Sequence, residues 1–116
     1  MTDYVTQAQV ELLKQSDSLV ELCLTIPENL YYFQGHFPQA AILPGVAQLD
    51  WVMQYLAQYF AVDMTNLVSV DALKFQNIIR PNHQVTLTLA KIQTNKYSFS
   101  YHSTHAQHAS GKVVFD

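Results

Sequence analysis

Residues 44–61 read PGVAQLDWVMQYLAQYFA and contain the most convincing helix of the sequence. Pro44 suits the start, because the first N–H groups of a helix have no internal partner. Apolar residues recur at the spacing of one helix face, to which we assign Val46, Leu49, Met53, Leu56, Ala57 and Phe60. Other apolar residues fill much of the remaining surface, so we expect a helix over roughly 45–61 that is central to the domain and buried on most sides.

The sequence on both sides of this helix has the two-residue period of strands. Residues 20–26 alternate apolar and polar side chains, which predicts a half-buried strand. The later strands predicted in the same way are residues 68–75, 85–90, 97–102 and 112–115. The order strand, long loop, helix and about four antiparallel strands predicts an α+β fold, in which one curved antiparallel sheet wraps a single central helix. We assign residues 1–116 to this one domain.

Composition narrows the class of protein. Of 116 residues, 49% are hydrophobic and only 13% are charged, against a usual charged share of about 25%. A chain with so little polar surface is expected to cover part of its apolar surface with a second copy. A net charge of −3 gives no electrostatic basis for nucleic-acid binding. Cys23 alone cannot form an internal disulfide, and without a signal peptide or long apolar run we expect a soluble, cytoplasmic protein.

One carboxylate and one histidine stand out in the central third of the sequence. Between Glu28 and Asp63 the only formally charged side chain is Asp50, and the only histidine is His36. Asp50 falls within the predicted apolar stripe, where desolvation favours a protonated carboxyl that can act as a general acid. Two structural interpretations remain open from the residues alone. In the first, Asp50 caps a loop or reaches solvent at the helix edge. In the second, His36 forms a hydrogen bond to the backbone of its own loop.

The spacing of these residues is more specific than either residue. Residues 35–54 read GHFPQAAILPGVAQLDWVMQ. This stretch resembles the signature of the β-hydroxyacyl-thioester dehydratases, hot-dog-fold enzymes of fatty acid synthesis that act on acyl chains held by acyl carrier protein. Lys74-Phe75 followed by Arg80-Pro81 is a looser echo of the same family. Residues 74–77 are similar to those of small dehydratase-like proteins found with polyketide or aryl-polyene lipid pathways.

The resemblance implies roles for three residues. His36 matches the catalytic base that removes the proton α to the thioester, for which imidazole is suited near neutral pH. Asp50 matches the acid that protonates or binds the departing hydroxyl, and Gly45 matches the helix-start residue whose N–H polarises the thioester carbonyl. The other substrate-binding positions that the resemblance implies are Phe37, Val46 and Gln54.

The implied reaction is that of a hydro-lyase. It converts (3R)-3-hydroxyacyl thioesters of acyl carrier protein or coenzyme A to trans-2-enoyl thioesters and water. The resemblance implies no metal or other cofactor, because the substrate carries its own phosphopantetheine. The family places the histidine and the acid of one site on different subunits, which implies a homodimer or a higher oligomer. The aspartate resembles the dehydratase–isomerase branch, whereas its surroundings resemble the plain dehydratases, so isomerase activity stays open.

Two other functions compete with dehydration. A hot-dog thioesterase shares the fold and the thioester, and it also uses an acid on the central helix. A non-catalytic acyl-binding or partner subunit of a synthase is the second alternative. The Gly-His-Phe-Pro run favours dehydration over hydrolysis, and the presence of both His36 and Asp50 disfavours a non-catalytic subunit.

Histidines and basic residues elsewhere were considered as sites. His102, His105 and His108 have a regular three-residue spacing but no acidic or cysteine ligand beside them. We interpret them as surface histidines and predict no metal site. Lys74 and Arg80 are candidates for contact with the phosphate or the acidic surface of a carrier protein.

Overall fold

A computed structural model describes residues 4–34 and 41–116 of the chain. Within these ranges one helix packs against a six-stranded antiparallel sheet. The strands are β1 (Gln9–Gln15), β2 (Leu19–Thr25), β3 (Leu67–Phe75), β4 (Gln84–Gln93), β5 (Lys96–His102) and β6 (Gln107–Phe115), and the helix is α1 (Gly45–Phe60). The strand order is β1-β2-β4-β5-β6-β3, so β1 and β3 form the two edges. This is the predicted α+β hot-dog architecture.

The two-residue period correctly predicts which face of the sheet is buried. In β2 opposite β4, Leu22 pairs with Leu87 and Leu24 pairs with Val85. All four side chains are buried, whereas Cys23 between them is half-buried on the other face. Cross-strand apolar pairs of this kind are the unit of sheet stability, so the register and the core arise from the same pattern.

Helix α1 begins and ends where the local sequence predicts. Pro44 is the N-cap, with ψ of 150°. Ala61 follows the last helical residue in the left-handed conformation, with φ of 56°, which ends the helix. The Trp51 indole N–H donates to the carbonyl oxygen of Thr6 at 3.0 Å, which ties the helix to the N-terminal segment. The residues that α1 buries are Ala47, Gln48, Trp51, Val52, Tyr55 and Leu56.

The predicted apolar face of α1 is only partly buried, with Leu49, Met53, Leu56 and Phe60 against the core and Val46 in solvent. Of its six members only Leu56 is fully buried, and Val46 is 71% exposed. Asp50 is exposed rather than enclosed by an apolar stripe. Because α1 carries apolar residues on nearly every side, periodicity alone does not determine its rotation. The sheet determines it, through the close packing around Trp51 and Leu56.

The last strand is longer than predicted. Residues 112–115 were expected, but β6 spans Gln107–Phe115 and pairs with both β5 and β3. Gly111 makes this possible, because a Cβ there would lie 2.7 Å from the ring of Phe99. On the other side of β6, edge strand β3 has a bulge at Ala72, where φ is 51°. Near the start of the same strand, Val68 is 60% exposed. Within the described residues no helix has the length and apolar character needed to cross a membrane.

Candidate active site

The start of α1 presents unpartnered N–H groups. The N–H groups of Ala47 and Gln48 donate to the carbonyl oxygen of Pro44 at 3.1 and 3.2 Å. In the described part of the chain, no such partner meets the N–H groups of Gly45 and Val46. These groups lie at the positive end of the helix dipole, where they are suited to bind an oxygen that gains negative charge.

An aromatic ring packs directly against this helix start. A Cβ at Gly45 would lie 2.6 Å from Cζ of Phe75, so only glycine lets the ring approach. Phe75 ends β3 and is 50% exposed. Beside it lies a cavity of about 310 Å³. Its lining is Ile42, Leu43, Pro44, Gly45, Gln48, Phe75, Gln76, Asn77 and Ile78. This lining has carboxamides but no charged side chain, which suits a neutral, largely apolar ligand.

Asp50 and Gln54 form a pair on the exposed side of α1. The Gln54 side-chain N–H donates to Oδ2 of Asp50 at 2.8 Å, and both residues are exposed. They lie four residues apart, so they share the stripe that begins at exposed Val46. The amide orients the carboxyl and leaves its other oxygen available. The structure thus places Asp50, Gln54 and Val46 on one exposed face of α1, with Gly45 at its start.

Two buried tyrosines lie at the interface between this helix and the sheet, Tyr55 on α1 and Tyr101 on β5. The Tyr101 hydroxyl on β5 donates to the backbone oxygen of Gln48 at 2.6 Å. Burial, and then the neighbouring Tyr55 and Asp50, raise the pKa of Tyr101 well above its ordinary value. Burial and the Tyr59 phenol raise the pKa of Tyr55 to about 12. Both phenols therefore stay protonated at neutral pH and are not bases, although among the described residues the Tyr55 hydroxyl has no hydrogen-bond partner.

Two of the predicted site residues, His36 and Phe37, lie outside the described residues. The described chain stops at Gln34 and resumes at Ala41. A second cavity, of about 430 Å³, is lined by Glu28, Phe33, Ala41, Arg80, Pro81, Asn82 and His83. Arg80 is half-buried in that lining, whereas Lys74 is exposed on β3. The roles predicted for these residues stay predictions.

The C-terminal histidines were predicted to lie on the surface, but the structure buries one of them. His108 is only 5% exposed because β6 begins earlier than expected and carries it into the sheet. Its Nδ1 lies 3.2 Å from the carbonyl oxygen of Asn77, and its Nε2 lies 2.9 Å from the Ser103 hydroxyl. His102 is half-buried against Thr88. Among the described residues, no group of three or more potential ligands is arranged to hold a metal ion.

The geometry can now be compared with known proteins. The profile of the ApeI-like family, described as ApeI dehydratase, matches residues 12–112. The chain belongs to the ApeI-like dehydratase family. A chain of the dehydratase heterocomplex ApeI:P from Xenorhabdus doucetiae has a similar structure, with a TM-score of 0.79 and 26% identity. The match covers 93% of this chain and 96% of that one.

The chain is also similar to curated dehydratases and to other proteins of the same fold. The 3-hydroxyacyl-[acyl-carrier-protein] dehydratase FabZ of Oenococcus oeni is 33% identical over 94 residues, covering 74% of this chain and 66% of that enzyme. The chain spans about half to two thirds of the length of the curated relatives it matches. Mouse thioesterase superfamily member 2 has a TM-score of 0.70 at 12% identity, with 91% of this chain and 80% of that chain covered. That likeness supports the hot-dog fold alone.

Sequence reasoning missed two residues at the cavity of this ApeI-like chain. Phe75 belongs to the looser family echo but was not assigned to the site, because its contact with Gly45 joins distant parts of the chain. Gln48 was missed because a polar residue in a helix is normally expected to face solvent. A polar residue between two apolar neighbours, one turn after a helix start, was the available signal.

Proposed function

We propose that this protein dehydrates (3R)-3-hydroxyacyl thioesters to trans-2-enoyl thioesters. One observation carries the proposal. Asp50, oriented by Gln54, lies on a helix whose first N–H groups have no partner among residues 4–34 and 41–116 and border a largely apolar cavity. Membership of the ApeI-like family and similarity to 3-hydroxyacyl-[acyl-carrier-protein] dehydratases support it. The activity of these relatives also favours acyl carrier protein as the carrier, in fatty acid or related acyl-chain synthesis.

The proposed chemistry divides between three residues. The thioester carbonyl accepts a hydrogen bond from the Gly45 N–H, which stabilises the enolate oxygen as it forms. His36 removes the α proton, and Asp50 donates a proton to the β hydroxyl, which leaves as water. His36 is then protonated and Asp50 ionised, so a net proton transfer through solvent restores both. Val46, Phe37 and Gln54 contact the substrate in this proposal, and no metal or other cofactor is required.

A second copy of the chain completes the proposed site. Val46 is 71% exposed, and Asp50, one turn later, is exposed as well. In a single chain the Asp50 carboxyl is therefore in contact with water. Edge strand β3 also leaves Val68 and Phe75 at least half exposed. Large apolar side chains grouped around an unpaired strand edge favour association. A partner over this face would exclude water from Asp50 and contribute a histidine from its own loop.

The partner is proposed to be an identical chain in the cytoplasm. The Xenorhabdus doucetiae protein is a heterocomplex, so a different dehydratase-like chain is the alternative. Native mass spectrometry of the purified protein separates the two possibilities. A homodimer that is active without additions supports the proposal. A monomer that gains activity only with a second dehydratase-like chain overturns the homodimer.

The test of the reaction uses 3-hydroxyacyl-carrier-protein substrates of several chain lengths, read by intact mass. We expect the loss of one water, abolished in His36→Ala and in Asp50→Asn. Loss of the whole acyl group would instead show a thioesterase. No change with any chain, from a dimer that still binds acyl carrier protein, would show a non-catalytic partner subunit.

A further inference from the structure

Gln48 is the buried polar residue of the first turn of α1. It is 5% exposed, yet it lines the cavity beside Gly45. Its side-chain N–H donates to the carbonyl oxygen of Leu43 at 3.1 Å. Its backbone oxygen accepts the Tyr101 hydroxyl at 2.6 Å. Gln48 therefore joins the segment before the helix, the helix itself and strand β5.

The orientation of this side chain carries an energetic cost. Because a carbonyl oxygen only accepts, the amide nitrogen of Gln48 must face Leu43. That orientation leaves the buried oxygen Oε1 of Gln48 without a hydrogen-bond partner in the part of the chain that the structure describes. A buried unpaired acceptor is unfavourable, and an aliphatic side chain of similar size avoids it. The hydrogen bond to Leu43 is the favourable interaction that an aliphatic side chain could not make.

Leu43 connects the start of α1 to the segment around Ile79 through two hydrogen bonds. Its N–H donates to the carbonyl oxygen of Ile79 at 2.7 Å, and its carbonyl oxygen accepts from Gln48. Ile79 is the neighbour of Ile78, which lines the cavity. Gly45 lies two residues after Leu43. Fixing both sides of Leu43 fixes the backbone that aims the Gly45 N–H.

We propose that Gln48 is a positioning residue, which holds the Leu43–Gly45 backbone so that the Gly45 N–H points at the thioester carbonyl. This role rests on the proposed dehydration. Because a displacement of 1 Å can lower a rate by about 100-fold, loss of the tether in Gln48→Met should lower kcat by roughly 10- to 100-fold. The effect on KM should be small, because the apolar lining of the cavity is retained.

Hydrogen exchange of the Leu43 amide tests the tether without reference to activity. In Gln48→Met we expect this amide to exchange about tenfold faster, since its bond to Ile79 loses support. Gln58→Met is the matched control, the same substitution at an exposed position of the same helix. It should change neither the exchange nor kcat. Unchanged Leu43 exchange in Gln48→Met would overturn the proposal whether or not the protein is a dehydratase.

Gln48→Glu provides a rescue that a merely structural residue would not show. Its neutral carboxyl donates to Leu43 as the amide does, whereas the ionised form cannot. We therefore expect Leu43 exchange and kcat, each relative to the parent chain at the same pH, to be near normal where the introduced carboxyl is neutral and impaired once it ionises. Gln48→Met should show no such recovery. Faster exchange with an unchanged kcat would refute the positioning role. If Leu43 exchanges faster in Gln48→Met but the parent chain dehydrates no substrate, the tether is supported and the proposed function is refuted.

Discussion

The two sides of helix α1 have opposite characters. The buried side holds Trp51 and Leu56 without exposed area and makes the core with the sheet. The exposed side carries Val46, Asp50 and Gln54 at four-residue spacing. One helix thus stabilises the fold on one side and carries the candidate chemistry on the other. Substitutions on the exposed side should change activity or association, and those on the buried side should change stability.

The largest effect should come from Asp50→Asn. Loss of a general acid lowers the rate by about 100- to 10,000-fold. The free energy of unfolding should change by less than about 0.5 kcal/mol, because the side chain is exposed. Single-turnover dehydration and urea denaturation measure the two quantities, with Gln58→Ala as the control on the same helix. A fully active Asp50→Asn variant would remove the acid from the proposed mechanism.

The opposite outcome is expected from Leu56→Ala on the buried side. A fully buried leucine cut back to alanine lowers the free energy of unfolding by about 2–5 kcal/mol, through lost burial and the remaining cavity. Urea denaturation gives this value, and the folded fraction should retain its activity per molecule. A destabilisation no larger than that of Gln58→Ala would contradict the division between the two sides.

Val46→Lys should affect association rather than folding. If a second copy covers this side chain, burying a charge in place of the valine should weaken the dimer roughly 10- to 100-fold. Sedimentation velocity over a dilution series measures the change. The unfolding of the monomer should be unaffected, because Val46 is 71% exposed in the single chain. A dimer of unchanged affinity would place the interface elsewhere.

The smallest effect should arise away from both sides of α1. Burial, followed by His108, Arg80 and His105, lowers the pKa of His83 below its ordinary 6.5. Its Nδ1 accepts the backbone N–H of Arg80 at 3.1 Å, a bond that protonation breaks. The unfolded chain therefore binds the proton more readily, so this contribution is present above pH 6.5 and is lost as the pH falls below it.

His83→Gln checks this dependence. The free energy of unfolding of the variant should fall less steeply than that of the parent chain as the pH is lowered below 6.5. Because the ring is largely exposed, the difference should be small. Identical slopes for the two proteins would assign the acid sensitivity to other groups.

Much of the fold was predictable because strands and helices leave a local period in the sequence. Residues 20–26 were expected to bury one face, and Leu22 and Leu24 are fully buried. Helix α1 was expected over roughly 45–61 and spans Gly45–Phe60. The chain positions of Asp50 and Gly45 came from a family motif, and the structure places them on the same helix. Their catalytic roles stay predictions, as does that of His36.

The sequence by itself determined the fold class, the bounds of α1 and the family, because each depends on patterns within short stretches. Only the tertiary structure decided which side of α1 faces the sheet. It alone placed Phe75 against Gly45 and tied Gln48 to Leu43. A helix with apolar residues on nearly every side has no preferred rotation of its own. Its buried side is selected by contacts with strands far away in the chain, which local periodicity does not describe.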